Sequence, residues 1–203
     1  MRIGIIRTRW NAEHVDSLTK ACKTALTDDC KVDEDNIFET SVPGSFELPM
    51  AARFLALSGT VDAIVCIGVL IKGETMHFEY ISDAVVCTMV RPQTISSSSP
   101  LPIASSFLPQ TKGLMNIGIQ TSTPVILGVL TCLNEEQVKA RSSGSNNHGS
   151  DWGKTAVEMA LLRTEAMGGK AADAPLKELG FGLTKGDKDG DKKKDKTKQP
   201  GFF

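Results

Sequence analysis

A glycine, a hydroxyl and an imidazole fall within one short stretch: Gly73, Thr75 and His77. They follow an apolar run from Val61 to Ile67, which reads as a buried parallel strand. The stretch breaks at Gly73 and restarts as a helix with His77 in its first turns. Free backbone N–H groups and an ionisable ring therefore meet at the carboxyl end of a strand. Open α/β sheets place their ligands at that edge. The combination suits an anionic ligand with a proton donor beside it. The three histidines, His14, His77 and His148, lie far apart in sequence and form no metal-spaced cluster with cysteine.

The elements that must hold this stretch in place can be read from hydrophobic patterning. Residues 2–7 form a short apolar strand, and Asn11 can cap the helix behind it, whose Val15, Leu18, Cys22, Ala25 and Leu26 fall at helical spacing. Residues 36–42 form a second strand. Pro43 and Gly44 turn the chain, and Ser45 can cap a helix to about Leu57, with Glu47 and Pro49 in its first turn. Residues 61–68 form the third strand, and a helix runs from His77 to about Met89. Residues 123–131 form a fourth strand. A short helix opens at Asn134 and ends near Arg141, and residues 151–167 form the last helix. Apolar strands alternating with amphipathic helices predict a three-layer α/β/α sandwich with a four-stranded parallel, flavodoxin-like sheet. So small a sheet leaves an edge strand exposed, which favours an oligomer.

Composition narrows the function classes. The 203 residues fit one domain, 1–168, plus a tail, 169–203. A Ser/Pro-rich insertion at about 90–112 interrupts what would otherwise be one helix from His77 to about Thr121, and reads as a mobile surface loop. The tail mixes Lys192, Lys193 and Lys194 with Asp187, Asp189, Asp191 and Asp195, so it reads as disordered and solvated rather than nucleic-acid binding. A formal charge of −1 and 5% aromatics argue against a nucleic-acid partner, and no stretch is apolar enough to span a membrane. The five cysteines make no CxxC pair and read as reduced thiols. The chain enters its first strand at once, without a visible signal segment, so a cytoplasmic protein is expected.

Five segments then converge. They are Arg9-Trp10-Asn11 and Val42 to Pro49; the stretch from Gly68 through Gly73 to His77; Asn134 to Gln137 with Arg141; and His148-Gly149 with Asp151. Together they resemble lumazine synthase, the penultimate enzyme of riboflavin synthesis, over roughly residues 2–167 apart from the insertion. The resemblance implies condensation of 5-amino-6-(D-ribitylamino)uracil with 3,4-dihydroxy-2-butanone 4-phosphate, with loss of phosphate and water. No metal or redox cofactor is implied. His77 is expected to be the proton donor, a role an imidazole fills at neutral pH. Gly73, Glu74 and Thr75 would hold the phosphate through backbone N–H groups and the hydroxyl. The Glu74 side chain itself should point to solvent. Arg141 would fork onto phosphate oxygens, with Asp151 holding it. Trp10 would stack on the pyrimidine, and the amides of Val69, Leu70 and Ile71 would pair with the uracil edge. Ser45, Phe46 and Glu47 would take the ribityl hydroxyls.

The family shares each substrate site between neighbouring subunits of a pentamer. Leu127 and His148 match positions that face the site across that boundary, where Phe and Lys are common. The resemblance therefore implies a homo-oligomer, a pentamer first, with handover of product to riboflavin synthase. The absence of an extra strand before residue 2 fits a pentamer better than a sixty-subunit shell. The alternative is a non-catalytic flavin- or lumazine-binding protein on the same scaffold. Retention of both His77 and Arg141 favours the enzyme. A flavodoxin-like nucleotide regulator would want a GxGxxG turn, which the chain lacks.

Overall fold

The computed structural model describes residues 1–86 and 113–167. The expected insertion lies outside them, as do the tail, Cys87 and the end of the third helix. Four strands, β1 (Ile3–Thr8), β2 (Ile37–Val42), β3 (Ala63–Ile71) and β4 (Val125–Cys132), form one sheet in the order β2-β1-β3-β4. All three pairings are parallel. The two central strands carry the densest apolar runs, as a sheet covered on both faces requires. Ile3, Ile5 and Ile6 of β1 and residues 63–67 of β3 are fully buried. β2 is an edge strand, half-buried throughout except at the exposed Phe38 and Ser41.

Right-handed crossovers decide which face each helix covers. The chain steps from β1 to β2 through α1 (Ala12–Thr24), then reverses across the sheet to β3 through α2 (Leu48–Leu57). It continues to β4 through α3 (His77–Val86) and α4 (Leu114–Thr121). The reversal puts α1 on one face and α2, α3 and α4 on the other. It also makes the β1–β3 boundary the topological switch point. After β4 come α5 (Glu135–Ser142) and α6 (His148–Ala166), and α6 packs along α1.

The core under α2, α3 and α4 joins Ile6, Ile64, Cys66 and Val129 to Leu48, Ala52, Val85, Leu114 and Ile117. On the other face α6 approaches α1 unusually closely. A Cβ at Gly149 would run into the Leu18 carbonyl, and one at Gly153 would stand 2.8 Å from the Cys22 carbonyl. Asn147 completes this seam. Its Nδ2 donates to the Ser17 carbonyl (3.3 Å) and the Ser142 carbonyl (2.8 Å), while its Oδ1 accepts from Gly149 N (2.9 Å).

Several elements differ locally from expectation. β3 runs on through Gly68 to Ile71, because Val69, Leu70 and Ile71 keep pairing with Leu130, Thr131 and Cys132. α4 is a separate helix that starts after Gly113, whose φ of 88° a helix cannot continue through. The Val85 carbonyl lies directly against Gly113, so the chain ends flanking 87–112 meet. The last helix begins at His148 rather than Asp151, with Asn147 as its cap. The end of α1 widens into a π-helical turn, Ala25–Asp29.

Candidate active site

The four strands deliver their carboxyl ends to one edge. β1 continues one residue past its strand through Arg9 N to the Val42 carbonyl (3.1 Å), and β3 does so through Lys72 N to the Cys132 carbonyl (2.9 Å). The turn after β1 then needs a sharp bend, which Asn11 provides at φ 57°, ψ 45°. Asn11 does not cap α1 with its side chain, contrary to expectation. Its Nδ2 instead donates to the Val69 carbonyl at 3.0 Å, a bond that spans the switch point. That bend leaves Trp10 71% exposed. Arg9, Trp10, Asn11 and Pro43 line an open cleft of about 400 Å³.

The turn after β2 closes against the same cleft. Ser45 is buried rather than a helix cap; residues Ser45–Glu47 form a 3₁₀ turn that precedes α2. Glu47 Oε2 accepts from Gly44 N at 3.0 Å, which fixes the turn from within. Gly68 explains how close this turn comes to β3. A Cβ there would sit 2.9 Å from Ser45 Oγ and 3.2 Å from Thr8 Cγ2. Phe46 remains 61% exposed beside the buried Ser45.

Beyond β3, residues 72–77 are all exposed, and His77 opens α3. His77 N lies 3.5 Å from Thr75 Oγ1. Helix α3 packs against the Ser45–Glu47 turn, so the imidazole-bearing helix and the β2 turn share one wall. Trp10, Ser45, Phe46, Glu47, Val69, Leu70, Ile71, Gly73, Glu74, Thr75 and His77 thus all belong to one sheet edge.

The remaining expected residues are placed differently. Arg141 is half-buried near the end of α5, where Nη1 donates to the Gln137 carbonyl at 2.9 Å. It does not pair with Asp151, which is exposed in the first turn of α6. Arg141 is near the carboxyl end of β4. Burial pushes the Cys132 thiol up, and the guanidinium partly opposes that shift. Leu127 pairs with Cys66, four residues before Leu70, which puts it about 13 Å back along the sheet. Leu127 therefore lies back from the sheet edge that carries the cleft. His148 stands edge-on to Trp152, with ring centroids 6.2 Å apart at 80°.

The 6,7-dimethyl-8-ribityllumazine synthase family model matches residues 1–106 and 109–164. The chain belongs to that family. A 6,7-dimethyl-8-ribityllumazine synthase of Schizosaccharomyces pombe is 43% identical over 163 residues, covering 79% of this chain and 87% of the relative. One from Pyricularia oryzae is 36% identical, covering 84% and 92%. One from the bacterium Gloeobacter violaceus is 33% identical, covering 80% and 78%. The chain is thus a lumazine synthase-type transferase of riboflavin biosynthesis on a flavodoxin-like sheet. Among the described residues no helix is long and apolar enough to cross a membrane.

Three polar residues at this edge escaped sequence reasoning. Asn11 was expected as a helix cap and as part of the Arg9-Trp10-Asn11 motif, not as a clamp onto β3. Lys72 and Glu79 bracket the Gly73 stretch with opposite charges, and their ammonium and carboxylate meet at 2.7 Å. Opposite charges on either side of a glycine turn were the available signal.

Proposed function

We propose that the edge cleft binds 5-amino-6-(D-ribitylamino)uracil over Trp10 and the butanone phosphate over residues 73–75. The indole face stacks on the pyrimidine, and the backbone groups of Val69, Leu70 and Ile71 meet the uracil edge. Asn11 already occupies the Val69 carbonyl, so the neighbouring amides are the available partners. The ribityl chain lies along Ser45, Phe46 and Glu47. Ser45 offers its backbone, since its side chain is buried, and Glu47 offers its second carboxylate oxygen, since Oε2 is held by Gly44.

The 5-amino group attacks the ketone, and the resulting carbinolamine loses water to give an imine. His77 moves protons in these steps from an exposed position at the start of α3. The phosphate leaves from a site formed by the amides of Gly73 and Glu74, the Thr75 hydroxyl and the Arg141 guanidinium. Ring closure by the ribityl-bearing amine and a second dehydration complete the lumazine. General acid–base assistance supplies about 10²–10⁴ in rate, and the positioning of two substrates supplies the rest.

The observation that carries this reading is the exposed Trp10 across the switch point from the His77 stretch, with the Ser45–Glu47 turn between them. We further infer that Leu127 and His148 complete a neighbouring subunit's cleft, which the set-back of Leu127 from its own sheet edge supports. The outward side of α2 and α4 exposes Phe54, Leu57, Met115 and Ile119, an apolar surface that a second copy would cover. A pentamer satisfies both, and the assembled enzyme hands its product to riboflavin synthase. We place it in the cytoplasm, in keeping with the free thiols of Cys22, Cys30, Cys66 and Cys132 among the described residues.

The test is to mix the purified protein with both substrates and follow the fluorescent lumazine. Formation well above the spontaneous rate is expected, falling about 10²-fold or more in His77→Ala. A wild-type protein that binds lumazine, quenching Trp10, without accelerating its formation would replace the enzyme reading with the binding-protein one.

A further inference from the structure

Residues 73–76 have little to hold their shape. Each is exposed, and a Cβ added at Gly73 would meet nothing within 4 Å. Among the described residues the stretch's own bonds are the long His77 N to Thr75 Oγ1 contact at 3.5 Å and Tyr80 N to the Met76 carbonyl at 3.2 Å. A ligand whose phosphate must sit at a defined distance from an imidazole needs more order than this.

Both roots of the stretch are fixed, and a side-chain pair joins them. Lys72 is the last residue of the β3–β4 ladder through its N–H to Cys132. Glu79 sits in the first turn of α3, which packs on the Ser45–Glu47 turn. Lys72 Nζ reaches Glu79 Oε1 at 2.7 Å, closing the span between them. The other oxygen, Oε2, is buried and has no hydrogen-bond partner among the described residues, and the same holds for Ser82 Oγ one turn further along α3. A carboxylate half enclosed in this way has few alternative orientations, and its exposed oxygen is committed to the lysine.

We propose that the Lys72–Glu79 pair is a positioning clasp that sets the shape of residues 73–76 for the phosphate of the butanone substrate and holds it in register with His77. Lys72 acts through the stretch and is not itself a phosphate ligand, because Glu79 holds its ammonium at the root. The inference rests on the reading of Gly73, Glu74 and Thr75 as the phosphate site. A partly exposed ion pair adds little to global stability, so its effect belongs in substrate affinity.

The test is a double-mutant cycle of Glu79→Gln, Lys72→Met and the pair. KM for each substrate, the inhibition constant of inorganic phosphate and Tm are measured on the assembled enzyme. Each single variant should raise KM for the butanone phosphate and the phosphate inhibition constant about fivefold, and the double variant should be no worse than either. KM for the pyrimidine should stay within about twofold, and Tm within about 2 °C. Tighter phosphate binding in Glu79→Gln with weaker binding in Lys72→Met would make Lys72 a direct ligand and overturn the clasp. So would unchanged constants, or a rise for both substrates accompanied by a fall in Tm. Thr75→Ala and Arg141→Ala are run alongside. If neither disturbs the phosphate constants, the phosphate site lies elsewhere and the clasp falls with it. If they do while the cycle is silent, the clasp alone is wrong.

Discussion

Asn11 holds two separable jobs, and two substitutions pull them apart. Its side chain bonds the Val69 carbonyl at 3.0 Å, and its backbone sits at φ 57°. Removing a half-buried hydrogen bond of this kind costs about 1 kcal/mol. Holding an alanine in the left-handed region costs about another 1 kcal/mol, whereas glycine adopts it freely. Asn11→Gly should therefore cost about 1 kcal/mol, and Asn11→Ala about 2. For a domain of this size each kcal/mol lowers Tm by about 3 °C, so melts near 3 °C and 6 °C below wild type are expected at matched protein concentration. Both variants free the β1 end from the β3 end. If Trp10 stacks on the pyrimidine as proposed, both should raise KM for the pyrimidine about fivefold, because the turn that carries it loses its tie to β3. Calorimetry and steady-state kinetics on the same preparations supply the numbers. An alanine variant as stable as the glycine variant would refute the backbone argument. An unchanged pyrimidine KM in both would refute the link from clamp to stacking.

Two further outcomes follow from packing and charge. Gly149→Ala presses a methyl against the Leu18 carbonyl, which cannot give way as a side-chain tip would, and should cost about 2–3 kcal/mol in thermal unfolding. Burial pushes the Glu39 carboxyl up, but hydrogen bonds from Lys23 (3.0 Å) and Arg7 (2.7 Å) outweigh it and hold the group below its ordinary 4.5. A depressed carboxylate stabilises the fold above its unfolded value, and that contribution is lost as pH falls from about 4.5 through the lower folded value. Glu39→Gln should therefore flatten the Tm–pH curve in that range. Salt screening keeps the effect below about 1 kcal/mol, and a curve that kept its wild-type slope would count against the assignment.

The sheet was legible because its signal is physical and local. The β-branched-rich apolar run 63–67 fits a strand buried on both faces, and its alternation with amphipathic helices points to one layer arrangement. The misplaced boundaries have a common cause. Gly68 reads as a break in one dimension, but in the sheet it is where Ser45 and Thr8 need space beside β3. Gly113 looks like part of a loop and is the bend from which α4 starts. The residues gathered at the sheet edge were legible as strand-end motifs. Their interactions were not, because those depend on pairs distant in sequence: Asn11 with Val69, and Asn147 with Ser17 and Ser142. Arg141 bonds within its own helix rather than to Asp151, a choice that spacing alone does not determine.

The meeting of Val85 with Gly113 has an architectural consequence. The domain closes on itself at that junction, so whatever chain is threaded between 87 and 112 enters and leaves through nearly the same point. Each doubling of such an excursion adds only about 0.6 kcal/mol of closure entropy. Neither the β3–β4 register nor the helix that starts at His77 is asked to move. The junction is thus a natural graft point, where a tag, a binding module or new chain termini can be introduced while the carboxyl edge of the sheet keeps its geometry.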